Sequence, residues 1–211
     1  RKRTLSHTNS SVEVVSLKEA KAIVIRNKEL EGSREETIRN YGKFFRHLDI
    51  FLKENNKNNM KDLTEQDAKS FIYYLITSGL QNVTVNSYLN NAKGSFKILE
   101  EEGLCKHIFK DTKYLKPDEK KIDILTIEEI NAFLKSMDTN KYTEFRDYVL
   151  IHVLIDTFSR IGETLALTKE DIDFEAQTIT YKNTKSRKIR TVPFSKKTAV
   201  LIGKLLKEKL D

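Results

Sequence analysis

Only two prolines and seven glycines interrupt this 211-residue chain. Proline removes a helix hydrogen bond and glycine costs backbone entropy, so a chain poor in both can run in long helices. Apolar residues recur at spacings of three and four, the period of a helix that buries one face. Ile38, Tyr41, Phe44, Phe45, Leu48, Phe51 and Leu52 form one such face. Ala68, Phe71, Ile72, Leu75 and Ile76 form a second, and Val85, Leu89, Ala92, Phe96 and Leu99 a third. Ser16 reads as the N-cap of an earlier helix that Gly32 stops. Ser33 with Glu36 reads as a capping box, and Thr64 starts another helix with Asp67 at the third position; Ser78-Gly79 and Gly103 read as stops. Residues 16–103 are expected to form a four-helix domain, preceded by a loose polar segment at 1–15.

Residues 104–122 lack periodicity, are crowded with lysine and contain Pro117, which marks a linker. A second domain is expected over 123–211. It opens on a capping box, Thr126 with Glu129. The helix that follows is apolar nearly all round from Tyr148 to Ile155, which predicts a central, buried element. The period then changes. "IDFEAQTITYKN" and "IRTVPF" alternate and are rich in Ile, Thr, Tyr and Val, so they read as short strands joined by turns. Ser195 caps a last amphipathic helix. The fold class is therefore mainly α, a helical first domain followed by an α+β part with a small antiparallel sheet.

Lys and Arg total 38 against 31 Asp and Glu, a net charge of +7, which favours polyanionic partners and nucleic acid above all. One cysteine, Cys105, excludes an internal disulfide and fits a reducing, cytoplasmic setting. No apolar run reaches 18 residues, so no membrane span is expected. The first residue is Arg rather than Met, which reads as a fragment of something longer. No Walker A loop, GxGxxG, HExxH or Cys/His zinc spacing occurs, so neither a metal nor a cofactor is expected. His152, within the apolar helix, reads as a packed, hydrogen-bonded core histidine.

Three constellations could carry chemistry. Arg39, Lys43 and Arg46 lie at i, i+4 and i+7 opposite the Phe-rich face, and Asn86, Asn90, Lys93 and Lys97 make a second polar stripe. Such stripes can follow a phosphate backbone, and asparagine can reach base edges. They are equally the solvated faces that any amphipathic helix carries. From Lys182 to Arg190 there are five basic residues and no acid, Lys185, Arg187 and Lys188 among them. This charged hairpin could touch phosphate, or simply guard an edge strand. Lys185 could also donate a proton if desolvated. Arg160 ends an apolar run and has Glu163 one helical turn on. The two could form a structural ion pair, or a guanidinium oriented to hold a phosphate.

The order of these features resembles the tyrosine recombinases, the phage integrase and Xer-like family, and within it the integrases of Gram-positive mobile elements. The resemblance rests on "TFSRIGETLALTKEDIDF" and on "TKSRKIRTVP", and it covers almost the whole chain. It implies a SAM-like core-DNA-binding domain and the front part of a catalytic domain. It implies that Arg160 holds the scissile phosphate, that Glu163 supports that arginine, and that Lys185 protonates the leaving 5′ oxygen. The implied activity is site-specific DNA recombination, integration or excision of a mobile element through a 3′-phosphotyrosyl intermediate. The implied partners are double-stranded attachment-site DNA and further copies of the protein, as a tetramer when full length. The family's His-x-x-Arg box and nucleophilic tyrosine have no match here, so this chain alone is expected not to cleave DNA. A truncated integrase that binds DNA as a competitor or architectural factor is the alternative. Phe158 stands where the family has glycine, a residue that allows backbone shapes phenylalanine adopts less easily, so the approach to Arg160 is expected to differ from the family's.

Overall fold

A computed structural model describes residues 15–117, 123–182 and 188–208. The chain divides into two compact units, Arg1–Lys121 and Ile122–Asp211. The fold is mainly helical, with one small antiparallel sheet. Among the described residues no helix is long and apolar enough to cross a membrane.

Four helices build the first unit: α1 (Leu17–Leu30), α2 (Glu35–Glu54), α3 (Glu65–Thr77) and α4 (Asn82–Glu101). The predicted apolar stripes meet in its core. Phe44, Phe45, Leu48 and Phe51 of α2 pack with Phe71 and Leu75 of α3 and with Leu89, Phe96 and Leu99 of α4. Phe71 takes edge-on contacts from Phe44, Phe51 and Phe109. Gly94 leaves room for the Tyr41 side chain of α2 against α4, because a β-carbon there would lie 2.5 Å from the Tyr41 hydroxyl.

The helix ends follow the capping residues with one exception. Ser16 and Glu19 form a reciprocal box at α1, as do Thr64 and Asp67 at α3. Ser33 does not cap α2. Gly32 takes φ +65°, and the Ser33 amide donates to the Lys28 carbonyl while that of Gly32 donates to Glu29. This is a Schellman closure of α1, and it consumes Ser33. Arg34 becomes the N-cap of α2, with no side-chain cap bond.

Part of the segment read as linker packs on this bundle. Ile108 and Phe109 are buried in the helical core, and the chain then runs along α4 as far as residue 116.

The second unit contains α5 (Ile127–Ser136), α6 (Tyr142–Thr157), the single-turn α7 (Ile161–Thr164), strands β1 (Ile172–Asp173), β2 (Thr178–Tyr181) and β3 (Arg190–Pro193), and α8 (Lys196–Glu208). The sheet order is β1-β2-β3, antiparallel throughout. Tyr181 pairs with Arg190 and Ile179 with Val192. Ile179 and Tyr181 face inward, against Phe145, Val149 and Val153 of α6 and Ile202 of α8. Asp156 accepts a hydrogen bond from the Ser195 amide at 2.8 Å, and the Ser195 hydroxyl caps Thr198, which ties the end of α6 to the start of α8.

Two readings of α6 need correction. The helix is not buried all round. It buries Phe145, Val149, His152 and Val153, while Ile155 is exposed and Leu150, Ile151 and Leu154 are half-buried, because the sheet and α8 cover one side only. His152 is buried against the Tyr148 ring, but its Nε2 has no hydrogen-bond partner among the described residues. Burial, with Lys197 nearby, pushes its pKa down.

Phe158 ends α6 in the left-handed region, φ 48° and ψ 32°, with 87% of its surface exposed. An L side chain there costs about 1–2 kcal/mol, and an exposed ring recovers little of it by packing. Phe158→Gly is therefore expected to stabilise the second unit by about 0.5–1 kcal/mol, read as a shift in its urea midpoint at unchanged slope.

Candidate functional site

The turn from α6 into α7 carries Arg160, and the site is built around the residue three positions on. Arg160 is the N-cap of α7 and its side chain is 66% exposed. Glu163 is the buried member, with 6% of its side chain exposed. The sequence suggested a charged arginine beside the core; the structure puts the carboxylate there and the arginine at the surface. Glu163 Oε1 accepts from Arg160 Nη1 at 2.9 Å, and Oε2 accepts from Arg190 Nη2 at 2.8 Å. One buried carboxylate thus joins the start of α7 to the start of β3.

Arg190 escaped the sequence reading. Its guanidinium lies 5.1 Å from the centre of the Tyr181 ring, its cross-strand partner. The signal was available in the strand register, since a hairpin that pairs Tyr181 with Arg190 sets a cation over an inward ring. Tyr181 is itself anchored. Its hydroxyl lies 2.9 Å from Thr157 Oγ1, and Thr157 donates to the Val153 carbonyl at 2.7 Å. Ser159 contacts both Thr157 and Thr164, at 2.9 and 2.6 Å. These hydroxyls fix the backbone on either side of Arg160.

A second ion pair ties the end of β2 to the residue before β1. Lys182 Nζ lies 2.6 Å from Asp171 Oδ1, while Asp171 Oδ2 accepts from the Thr168 amide and hydroxyl. The Lys182 contact first, then the Thr168 bonds, pull the Asp171 pKa down to about 2. Lys185 and Arg187 lie outside the described residues. Lys188 is exposed just before β3.

In the first unit, Arg39, Lys43 and Arg46 line a groove of about 580 Å³ between α1 and α2. Lys18 and Lys21 of α1 join them, with Asp49 at one side. The sequence reading missed these two lysines, although their i, i+3 spacing puts them on one face of α1. Arg39 pairs with Glu36 at 2.8 Å, and Lys43 reaches the same glutamate at 3.7 Å.

The second stripe behaves differently from the expectation. Asn86 does not present a free amide. Its Nδ2 donates to the Leu115 carbonyl and its Oδ1 accepts from the Leu115 amide, both at 2.8 Å. Asn90 accepts from the Tyr114 hydroxyl. Lys93 donates to the Lys110 carbonyl at 3.2 Å and lies over the Tyr114 ring. Lys97 is exposed and sits 3.8 Å from Glu101. A helical wheel shows which side chains share a face, but not that a segment 29 residues away will occupy it. Among the described residues, no group of three or more His, Cys, Asp or Glu is arranged to hold a metal ion.

Comparison with known proteins follows the same division. The model of the phage integrase SAM-like domain matches residues 20–114, and that of the phage integrase family matches residues 123–211. Tyrosine recombinase XerA of Pyrococcus furiosus is 30% identical over 185 residues, 87% of this chain and 59% of that protein. The chain spans 52% to 59% of the length of the curated relatives XerC and XerA that it matches. Among solved structures, the Tn1549 transposon integrase in complex with transposon right-end DNA aligns with a TM-score of 0.73 at 20% identity, covering 92% of this chain and 65% of that one. A lambda integrase tetramer bound to a Holliday junction aligns with a TM-score of 0.69 at 14% identity, covering 88% and 52%.

Two outcomes test the site's construction. Glu163→Ala leaves two guanidiniums without their shared anion and is expected to destabilise the second unit by about 2 kcal/mol, whereas Arg160→Ala, at an exposed position, should cost under about 1 kcal/mol in urea denaturation. The Asp171 carboxyl titrates below its unfolded value of about 3.9, so its contribution is complete above that pH and is lost as pH falls toward about 2. Asp171→Asn should flatten that part of the stability–pH curve, measured by thermal unfolding at each pH.

Proposed function

Because the chain belongs to the phage integrase family, we propose that it binds duplex DNA and supplies part of the active site for site-specific DNA recombination. The observation that carries this reading is the buried Glu163 carboxylate with Arg160 on one oxygen and Arg190 on the other. Arg160 gives one N–H to Glu163 and keeps four of its five donors, enough for two oxygens of one phosphate. Holding the guanidinium by a buried anion fixes where phosphate charge is met before it arrives.

In this reading Arg160 takes the scissile phosphate and Glu163 orients it. Lys185, on the β2–β3 connection, protonates the 5′ oxygen as it leaves. The attacking group is a tyrosine hydroxyl of the whole protein. Its oxygen forms the phosphotyrosyl bond as the P–O5′ bond breaks, and the bond energy is kept for rejoining. Residues 16–103 act as the core-DNA-binding domain and 123–211 as part of the catalytic domain. Arg39, Lys43, Arg46, Lys93, Lys97, Arg187 and Lys188 supply further cationic contacts to the backbone. The substrate is an attachment-site duplex, and recombination proceeds in a tetramer of the whole protein.

Salt dependence tests the binding part directly. The chain should bind a duplex about a thousandfold or more weaker at 200 mM than at 50 mM salt, as six or more phosphate contacts require. Arg160→Ala should make the log–log slope shallower by about one phosphate with little change in fold stability. Absence of binding at low salt rejects the proposal.

A further inference from the structure

The asparagines of the α4 polar stripe are spent on the chain's own segment 114–116, and this changes which residues the stripe can offer to a partner. Asn86 uses both ends of its amide on the backbone of one residue, donating to the Leu115 carbonyl and accepting from the Leu115 amide. Asn82 Nδ2 donates to the Lys116 carbonyl at 2.9 Å. Tyr114 donates to Asn90, and Lys93 reaches the Lys110 carbonyl while lying 5.2 Å from the Tyr114 ring centre. Upstream, the segment is anchored by Ile108 and Phe109 in the helical core. It is thus held along about three turns of α4, from Asn82 to Lys93, mainly through main-chain atoms.

Between the exposed Asp111 and the acids Asp118 and Glu119 of the sequence, the segment presents only cations. Lys113 and Lys116 are exposed, and among the described residues neither forms an ion pair. Arg39, Lys43 and Lys97 each have a glutamate within 4 Å. A lysine on a loose loop must lose backbone and side-chain freedom when it meets a phosphate. One on a backbone already fixed loses only the side-chain part.

We propose that the α4 asparagines act as a splint, holding residues 113–116 as a rigid basic edge whose Lys113 and Lys116 bind phosphates of duplex DNA. The proposal rests on the DNA-binding reading above. It moves the contact from the asparagines, which the helical pattern suggested as base readers, to the lysines that they position. Asn86 is a positioning residue, and recognition along this edge is independent of base sequence.

The test is titration of a labelled mixed-sequence duplex with the full chain at about 50 and 200 mM salt. Lys113→Ala with Lys116→Ala should make the slope of log affinity against log salt shallower by about 1.8, or 0.9 for each phosphate given up. Asn86→Ala should weaken binding about fivefold through lost preorganisation. In the Asn86→Ala background the lysine pair should then matter less than in the wild type, because both act through one edge. Tyr114→Phe, which removes one hydroxyl bond and keeps the ring, provides the same coupling measurement if Asn86→Ala fails to fold. An unchanged slope in the lysine double variant overturns the proposal. So does an Asn86→Ala chain that keeps its affinity but loses preference among duplexes, since Asn86 would then be reading bases itself. A wild-type chain that binds no duplex overturns the proposed function and this inference together, whereas binding with an unchanged lysine-pair slope overturns the inference alone.

Discussion

A carboxylate with 6% of its side chain exposed must be paired, and Glu163 is paired twice. An isolated carboxylate at that depth would cost several kcal/mol and would take up a proton. With Arg160 on one oxygen and Arg190 on the other, the buried charge becomes a joint between two elements that sequence separates by 27 residues. The rest of the second unit serves this joint. Tyr181 lies beneath Arg190 and binds Thr157, and Thr157 and Ser159 fix the turn that delivers Arg160. The strained backbone of Phe158 sits inside that turn. The strain persists because the hydroxyl contacts of Thr157 and Ser159 and the α7 start determine the path on both sides of it.

The parts of this structure that were legible in the sequence are local ones. The apolar stripes of α2, α3 and α4, the N-caps at Ser16, Thr64 and Thr126, and the glycine stops each depend on residues within one or two helical turns. Arg160 and Glu163 were legible for the same reason, being three residues apart on one turn. Ser33 shows how a local rule fails. It fits the capping pattern of the helix that follows, yet its amide closes the helix before it, and one residue cannot serve both ends. The apolar helix α6 shows another limit, since periodicity reports which residues are apolar and not how many neighbours cover them.

The larger departures come from partners distant in sequence. Arg190 meets Glu163 only because the strand register sets it opposite Tyr181. Asn86 meets Leu115 only because Ile108 and Phe109 draw the chain back onto the bundle. In both cases the residue type was noticed or noticeable, and its partner was not. The exchange of roles between Arg160 and Glu163 has the same origin. Burial is a property of the packed unit, and adjacency to an apolar run did not tell which of the two charges would be inside.

Depth also decides which cations remain available to a polyanion. Arg39 and Lys43 share Glu36, but all three side chains are well exposed, and such pairs contribute at most about 1 kcal/mol. A phosphate can displace the glutamate at small cost, so these residues still belong to the basic groove with Lys18, Lys21 and Arg46. Arg190 is different. Its partner is buried, its Nε is enclosed without a partner, and its guanidinium lies against an aromatic ring. Taking it from Glu163 would leave that carboxylate with only one guanidinium. Arg190 therefore holds the site's shape, and the exposed Arg160, with most of its donors outside the pair, is the guanidinium that the proposed role asks to meet a phosphate, and it would do so without dismantling what supports it.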